Sequence, residues 1–471
     1  METIITGGTV VTETGRQGAD IGISGGRIVA IAAPGTLGGA GEVIDAAGLL
    51  VLPGAIDVHV HFREPGLAHK EDWATGSAAA ALGGVTTVFD MPNTVPPVDT
   101  VAHFEAKRAL AEEKSLVDFG IYGLLGEDNL DQLEPLAVAG VCGFKLFLGN
   151  TTGDLPCPGD GAVLEGFETL ARLGLRCSIH AENSPILFRR MNAMKAAGRT
   201  DPLAHLAART DVVAIEALTR AAVLAEWTGA RIHIVHESCA GSLPYIRFFK
   251  ERGVDMTVET LPQYLYLRAE DMTAPGGQVL RMNPPIRQEA HQAPLWAGLT
   301  DGSIDMIATD HAPHAETEKQ GVAIWDVACG FPGVQTSLAL MLKAAAAGRI
   351  AHEDIVRLMS GAPARAFGLA DRKGAVAVGL DADLVLVDPA VPHTIRAADL
   401  ASRGKVTPYD GWVTRGTIRR TLLRGRTIAK DGRIMAGPGG GRLVRPAMPA
   451  PAPRNTATTT AAILTPGAQP W

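Results

Sequence analysis

The hydrophobic pattern changes texture along the chain. Over roughly the first fifty residues, short alternating apolar and polar runs are broken by glycine turns, as in Ile4-Ile-Thr-Gly-Gly-Thr-Val-Val and Ile21-Gly-Ile-Ser-Gly-Gly-Arg-Ile-Val. Such alternation predicts hairpins. The same texture returns in Ala382-Asp-Leu-Val-Leu-Val-Asp and Arg420-Thr-Leu-Leu-Arg-Gly-Arg-Thr-Ile. Residues 1–51 and 372–437 are therefore expected to form one small β-sandwich domain from both ends of the chain. Between them, continuous apolar runs alternate with alanine-rich helical stretches. Strands are expected at 55–61, 86–91, 117–123, 141–148, 176–180, 231–236, 255–260 and 304–309, with helices such as 73–82, 211–227 and 333–347 between or after them. Eight strands alternating with helices predict an α/β chain with a (β/α)8 TIM-like barrel over residues 52–371. A doubly wound open sheet is the competing architecture. Residues 438–471 turn to Gly, Pro, Ala and Thr, and are expected to be a disordered tail or to lie at a subunit interface.

Composition narrows the class. The 471 residues suit a large domain with a smaller one, and 46% hydrophobic against 20% charged residues suits a compact enzyme. A net charge of −7 gives no electrostatic reason to expect nucleic acid as a partner. The five cysteines are scattered without a CxxC pair, which reads as reduced thiols. No basic-then-apolar leader pattern occurs, nor an uncharged apolar run of the ~18 residues a membrane span needs. The expectation is a soluble cytoplasmic protein acting on a small molecule, with no membrane partner.

The candidate chemistry lies where the predicted strands end. His59 and His61 stand two apart after the apolar run Leu49-Leu-Val-Leu-Pro53. Residues i and i+2 of a strand share a face, so two imidazoles lie side by side as a divalent metal needs. A polar pair on a solvated face is the competing reading, and the apolar flank argues against it. Lys145 sits inside Gly143-Phe-Lys-Leu-Phe-Leu-Gly149. A lysine there is costly unless it is paired or chemically altered. A buried salt bridge and carbamylation by CO2, giving a metal-bridging carboxylate, both remain open for it. His180 and His236 are lone strand histidines, a type that is more often structural than ligating. His233 and His236 point to opposite faces, and His236 is nearer the strand end. Asp310, in Thr309-Asp-His-Ala-Pro-His314, is read as ligand and proton shuttle against the alternative of a turn cap. The Ala-Pro turn brings His314 back over the site.

Through Asp57-Val-His-Val-His-Phe-Arg-Glu-Pro-Gly66, Asp90-Met-Pro-Asn-Thr94 and Thr309-Asp-His-Ala-Pro-His314, the chain resembles the amidohydrolase superfamily over all but its tail. Within it the chain resembles the cyclic-amide hydrolases, and dihydroorotases most. The resemblance implies two divalent cations, with zinc fitting the donor set. His59, His61 and Asp310 would take the first, His180 and His236 the second, with a carboxylated Lys145 bridging both. It implies a substrate carboxylate held by Arg63, Asn93 and His314, with Asn283 against the ring. The implied reaction interconverts N-carbamoyl-L-aspartate and dihydroorotate in pyrimidine biosynthesis, and the implied assembly is a homodimer or homotetramer. Thr151 and Thr152 are expected on a loop closing over the site. The alternative is an allantoinase or a hydantoinase/dihydropyrimidinase-like hydrolase. Pro262-Gln-Tyr264 resembles the hydantoinase version, while the lack of a tyrosine soon after Lys145 argues against hydantoinases, and Arg63 with Pro92-Asn-Thr94 against allantoinases. A non-catalytic scaffold relative is a third reading, disfavoured by the intact ligand set.

Overall fold

The computed structural model describes residues 1–150 and 155–447. Glycine turns and β-branched runs fold the two ends of the chain into one sandwich sheet, nine strands among the described residues. Thr3–Val11, Arg16–Ser24, Arg27–Ala32, Glu42–Asp45 and Leu50–Pro53 come from the N-terminal end. Leu384–Thr394, Val413–Leu423, Arg426–Lys430 and Arg433–Ile434 come from the other. The seam between the ends is antiparallel, pairing Leu50–Pro53 with residues 384–387. This strand runs past the expected boundary at residue 51. A separate apolar core, including Ile5, Ile21, Ile23, Leu384 and Leu422, fills the sandwich.

Gly54 then passes the chain from sandwich to barrel. A Cβ there would collide with the Thr86 side chain, so only glycine fits this close approach. The barrel strands are Ala55–Val60, Val85–Asp90, Asp118–Ile121 (resuming as Gly123–Leu125), Phe144–Phe147, Arg176–His180, Arg231–Ile234, Met256–Thr260 and Met306–Ile307. They run parallel, and most are buried along their whole length. Burial on both faces explains why they read as continuous apolar runs rather than alternations. The barrel closes where Val60 bridges His311 and the His61 amide donates to the His311 carbonyl at 2.8 Å. Helices between the strands start from side-chain caps where the sequence supplies them. Asp72, for example, accepts from the Thr75 amide at 2.8 Å to open Trp73–Leu82.

Three expectations change. The eighth strand is only Met306–Ile307 rather than 304–309, because side-chain bonds replace its ladder. The Thr309 amide and hydroxyl both donate to the Asp57 carboxylate, at 3.2 and 2.5 Å. The helix expected over 333–347 is Ser337–Ala346, because the Gly333 and Val334 amides point at His311 Nδ1 instead of starting it. The first residues of the tail pack on the barrel. The Phe119 amide donates to the Arg442 carbonyl and the Val444 amide to the Phe119 carbonyl, so residues 442–444 cover the open edge of the third barrel strand. Residues 448–471 lie outside the described part. No helix among the described residues is long and apolar enough to cross a membrane.

Candidate active site

All six expected ligand residues reach one cavity at the C-terminal ends of the barrel strands, together with Arg63, Asn93 and Asn283. His59 and His61 come from the first strand and its end, Lys145 from the fourth, and His180 closes the fifth. His236 and Asp310 stand just past the sixth and eighth. Arg63, His236 and Asp310 each hold a left-handed backbone, with φ of 62°, 44° and 46°. Few non-glycine residues adopt this conformation, and such backbone clusters at functional sites.

Hydrogen bonds fix which ring nitrogen faces the cavity. His59 Nδ1 donates to Glu259 Oε1 at 2.6 Å, leaving Nε2 3.3 Å from Asp310 Oδ1. His61 Nδ1 donates to Asn93 Oδ1 at 2.8 Å, leaving Nε2 3.1 Å from the same oxygen. His59, His61 and Asp310 thus form a group of ligand atoms able to hold one metal. On the other side, His180 Nε2 donates to Glu182 Oε2 at 2.8 Å, which turns Nδ1 to within 2.9 Å of His236 Nε2. Between the two halves lies the fully buried Lys145, whose Nζ has no hydrogen-bond partner among the described residues. The Lys–acid salt bridge left open for it is not formed among the described residues.

The site keeps its imidazoles neutral. Burial lowers all four histidines, and for His61 and His236 the positive groups nearby push further the same way. Neutral imidazoles keep a lone pair for a metal. Burial also lowers Lys145 to about 8, which puts a reactive neutral amine within physiological reach. The Glu259 carboxyl is pushed up by burial, but His59 and His233 outweigh that and hold it well below the usual carboxylate range. Glu259 binds His59, the His233 ring and the His236 amide at once.

A model of the amidohydrolase family matches residues 50–428. The chain belongs to the amidohydrolase family. It is 40% identical to an allantoinase of Rubrobacter xylanophilus over 94% of this chain and 97% of that one. It is 38% identical to a dihydroorotase of Methanosarcina mazei over 91% and 94%. Among solved structures, the L-hydantoinase of Arthrobacter aurescens superposes with a TM-score of 0.92 at 32% identity, covering 94% of this chain and 99% of that one. This amidohydrolase is a hydrolase of cyclic amides built as a barrel with an attached β-sandwich.

The residues expected to contact substrate also have partners within the chain of this amidohydrolase. His314 does not line the cavity; it backs Arg63, with Nε2 3.4 Å from Arg63 Nη2 and 2.9 Å from the Cys329 carbonyl. Asn93 gives its amide oxygen to His61. His311, the residue after Asp310, points away to Glu71 at 3.3 Å. Thr151 and Thr152 lie outside the described residues. Gln263, the hydantoinase-like feature, donates to the Thr309 carbonyl at 2.9 Å and so braces the turn into Asp310. Glu259 and Glu182 were missed by sequence reasoning. An acid inside the apolar strand Met256–Thr260 carried the same signal as Lys145, a charge where burial is costly.

Proposed function

We propose that this amidohydrolase opens and closes a cyclic amide that carries a carboxylate, interconverting dihydroorotate and N-carbamoyl-L-aspartate. The observation that carries this reading is Arg63. Its guanidinium is buried, and Nη1 has no partner among the described residues. A buried cation left open toward a pocket calls for an anionic partner, and a guanidinium fork suits a carboxylate. Asn283 Oδ1, also buried without a partner, offers an acceptor to a ring N–H.

The donor set fits two divalent cations, with zinc suited to nitrogen and oxygen ligands. His59, His61 and Asp310 would hold one, His180 and His236 the other, with a CO2-modified Lys145 between them. When bound, such a pair supplies an acidified water and polarises the ring carbonyl. Asp310, which touches both first-strand histidines, accepts the proton of the attacking water and returns it to the leaving ring nitrogen. Burial raises the Asp310 carboxyl, which suits a group that must hold a proton between two steps. Arg63 fixes the ring through its carboxylate, with His314 behind it.

A second reading, ring opening of uncharged allantoin, is supported by the allantoinase relatives such as that of Rubrobacter xylanophilus. A panel of dihydroorotate, allantoin, hydantoin and dihydrouracil with metal-replete protein separates the two. The acidic-ring reading expects dihydroorotate to lead by about 10^4-fold in kcat/KM, the scale on which a buried group left unpaired discriminates. Arg63→Met should harm dihydroorotate far more than hydantoin. Equal losses, or a preference for allantoin, would favour the second reading.

A further inference from the structure

Two turns that face the cavity are tied together by a buried charge pair unused in the chemistry so far. Asp90 ends the second barrel strand. Lys107 lies on the buried face of the helix Val101–Lys114, in line with Phe104 and Ala111. Both charged residues are fully buried. Lys107 Nζ lies 2.5 Å from Asp90 Oδ2 and donates to the Met91 carbonyl at 2.7 Å. Asp90 Oδ1 accepts from the Phe62 amide at 2.6 Å. Phe62 separates His61 from Arg63, and Met91 stands two residues before Asn93, which itself holds His61.

Packing alone does not call for this pair. An apolar side chain at 107 would fill the same helix face without desolvating two charges. What the pair adds is geometry. A single ammonium grips the turn carrying Asn93 directly and, through Asp90, the turn carrying Arg63.

We propose that Asp90 and Lys107 are positioning residues that set the spacing of Arg63 and Asn93 across the ring-binding cavity. This rests on the reading that the cavity takes the ring. A displacement of about 1 Å in such groups is enough to weaken productive binding severely.

The test replaces both charges together, Asp90→Asn with Lys107→Met, so that neither is stranded and an amide oxygen still faces Phe62. The ring used is whichever one the wild-type protein opens. The expected result is a KM about tenfold higher with kcat changed less than about threefold, while Tm and bound metal per chain stay near wild type. An unchanged KM overturns the inference. So does a joint fall of Tm, metal content and kcat, which marks a merely structural pair. Asp90→Asn with Lys107→Gln, which keeps hydrogen-bonding groups at both positions, is read in the same way if the first variant does not fold. If neither folds, the pair is structural and the inference falls. The wild-type panel decides separately whether the ring is acidic. If only allantoin is opened, the acidic-ring reading fails and KM for allantoin still tests the pair.

Discussion

Lys145 is the side chain at which the proposed CO2 modification can be tested directly. Its amine is buried, has no hydrogen-bond partner among the described residues and is lowered to about 8 by desolvation. Only the neutral amine attacks CO2, and its share grows as pH rises through that value. Metal uptake by the stripped protein is therefore expected to stall in CO2-free buffer. It should recover with bicarbonate, and faster at pH 8.5 than at pH 6.5. Metal analysis checks this, as does a 13C-carbamate signal that vanishes in Lys145→Ala; uptake indifferent to bicarbonate would refute it. Glu259 acts one step further out. Glu259→Gln weakens the acceptor behind His59 and should lower metal affinity about 10–100-fold, read by chelator competition. The ligands were legible because each follows an apolar run whose end is written locally. Glu259, Asp90 and Lys107 were not singled out: each is a charge in an apolar setting, but the sequence does not name the partner that balances it, on other strands for Glu259 and between strand and following helix for Asp90 and Lys107.

The elements were legible wherever burial alone made them. Trp73–Leu82 and the strand Arg176–His180 have the bounds their patterns predict. Departures occur where a side chain takes over a backbone role. Asp57 substitutes for a ladder partner of the eighth strand, and His311 takes two amides that would otherwise begin the helix Ser337–Ala346. The Asp57–Thr309 contact therefore carries part of the barrel's closure. Thr309→Val keeps the shape but strips the hydroxyl from a buried carboxyl. The expected cost is about 1–3 kcal/mol in urea unfolding, and a loss within error would show that the amide bond suffices.

Across the whole molecule, a charged bolt joins sandwich to barrel. Lys373 meets Asp118 of the third barrel strand at 2.8 Å and Asp383 beside the sandwich strand, while Arg424 also grips Asp118. The grouping of Asp118, Asp381 and Asp383 resembles a cation site, but the ammonium of Lys373 already lies among them. Lys373→Met would leave buried carboxylates facing one another. The expected cost is about 3–5 kcal/mol of unfolding free energy, and a neutral result would mean that water reaches the seam. The two-ended sandwich was readable because both ends share one hairpin texture. The bolt was not, since it depends on how the two units meet. The covering of the third strand by residues 442–444 was equally hidden, for a Gly/Pro-rich stretch gives no periodicity to read.

The left-handed backbone at 63, 236 and 310 sets robustness against turnover. Glycine adopts that conformation with least strain, asparagine and aspartate next, and an unfavourable residue such as Arg63 stores on the order of 1 kcal/mol there. A library screened for heat resistance alone should therefore enrich changes such as Arg63→Gly. Its hardiest survivors would be inert, so any thermostabilised catalyst from this scaffold needs those three codons frozen before the screen begins.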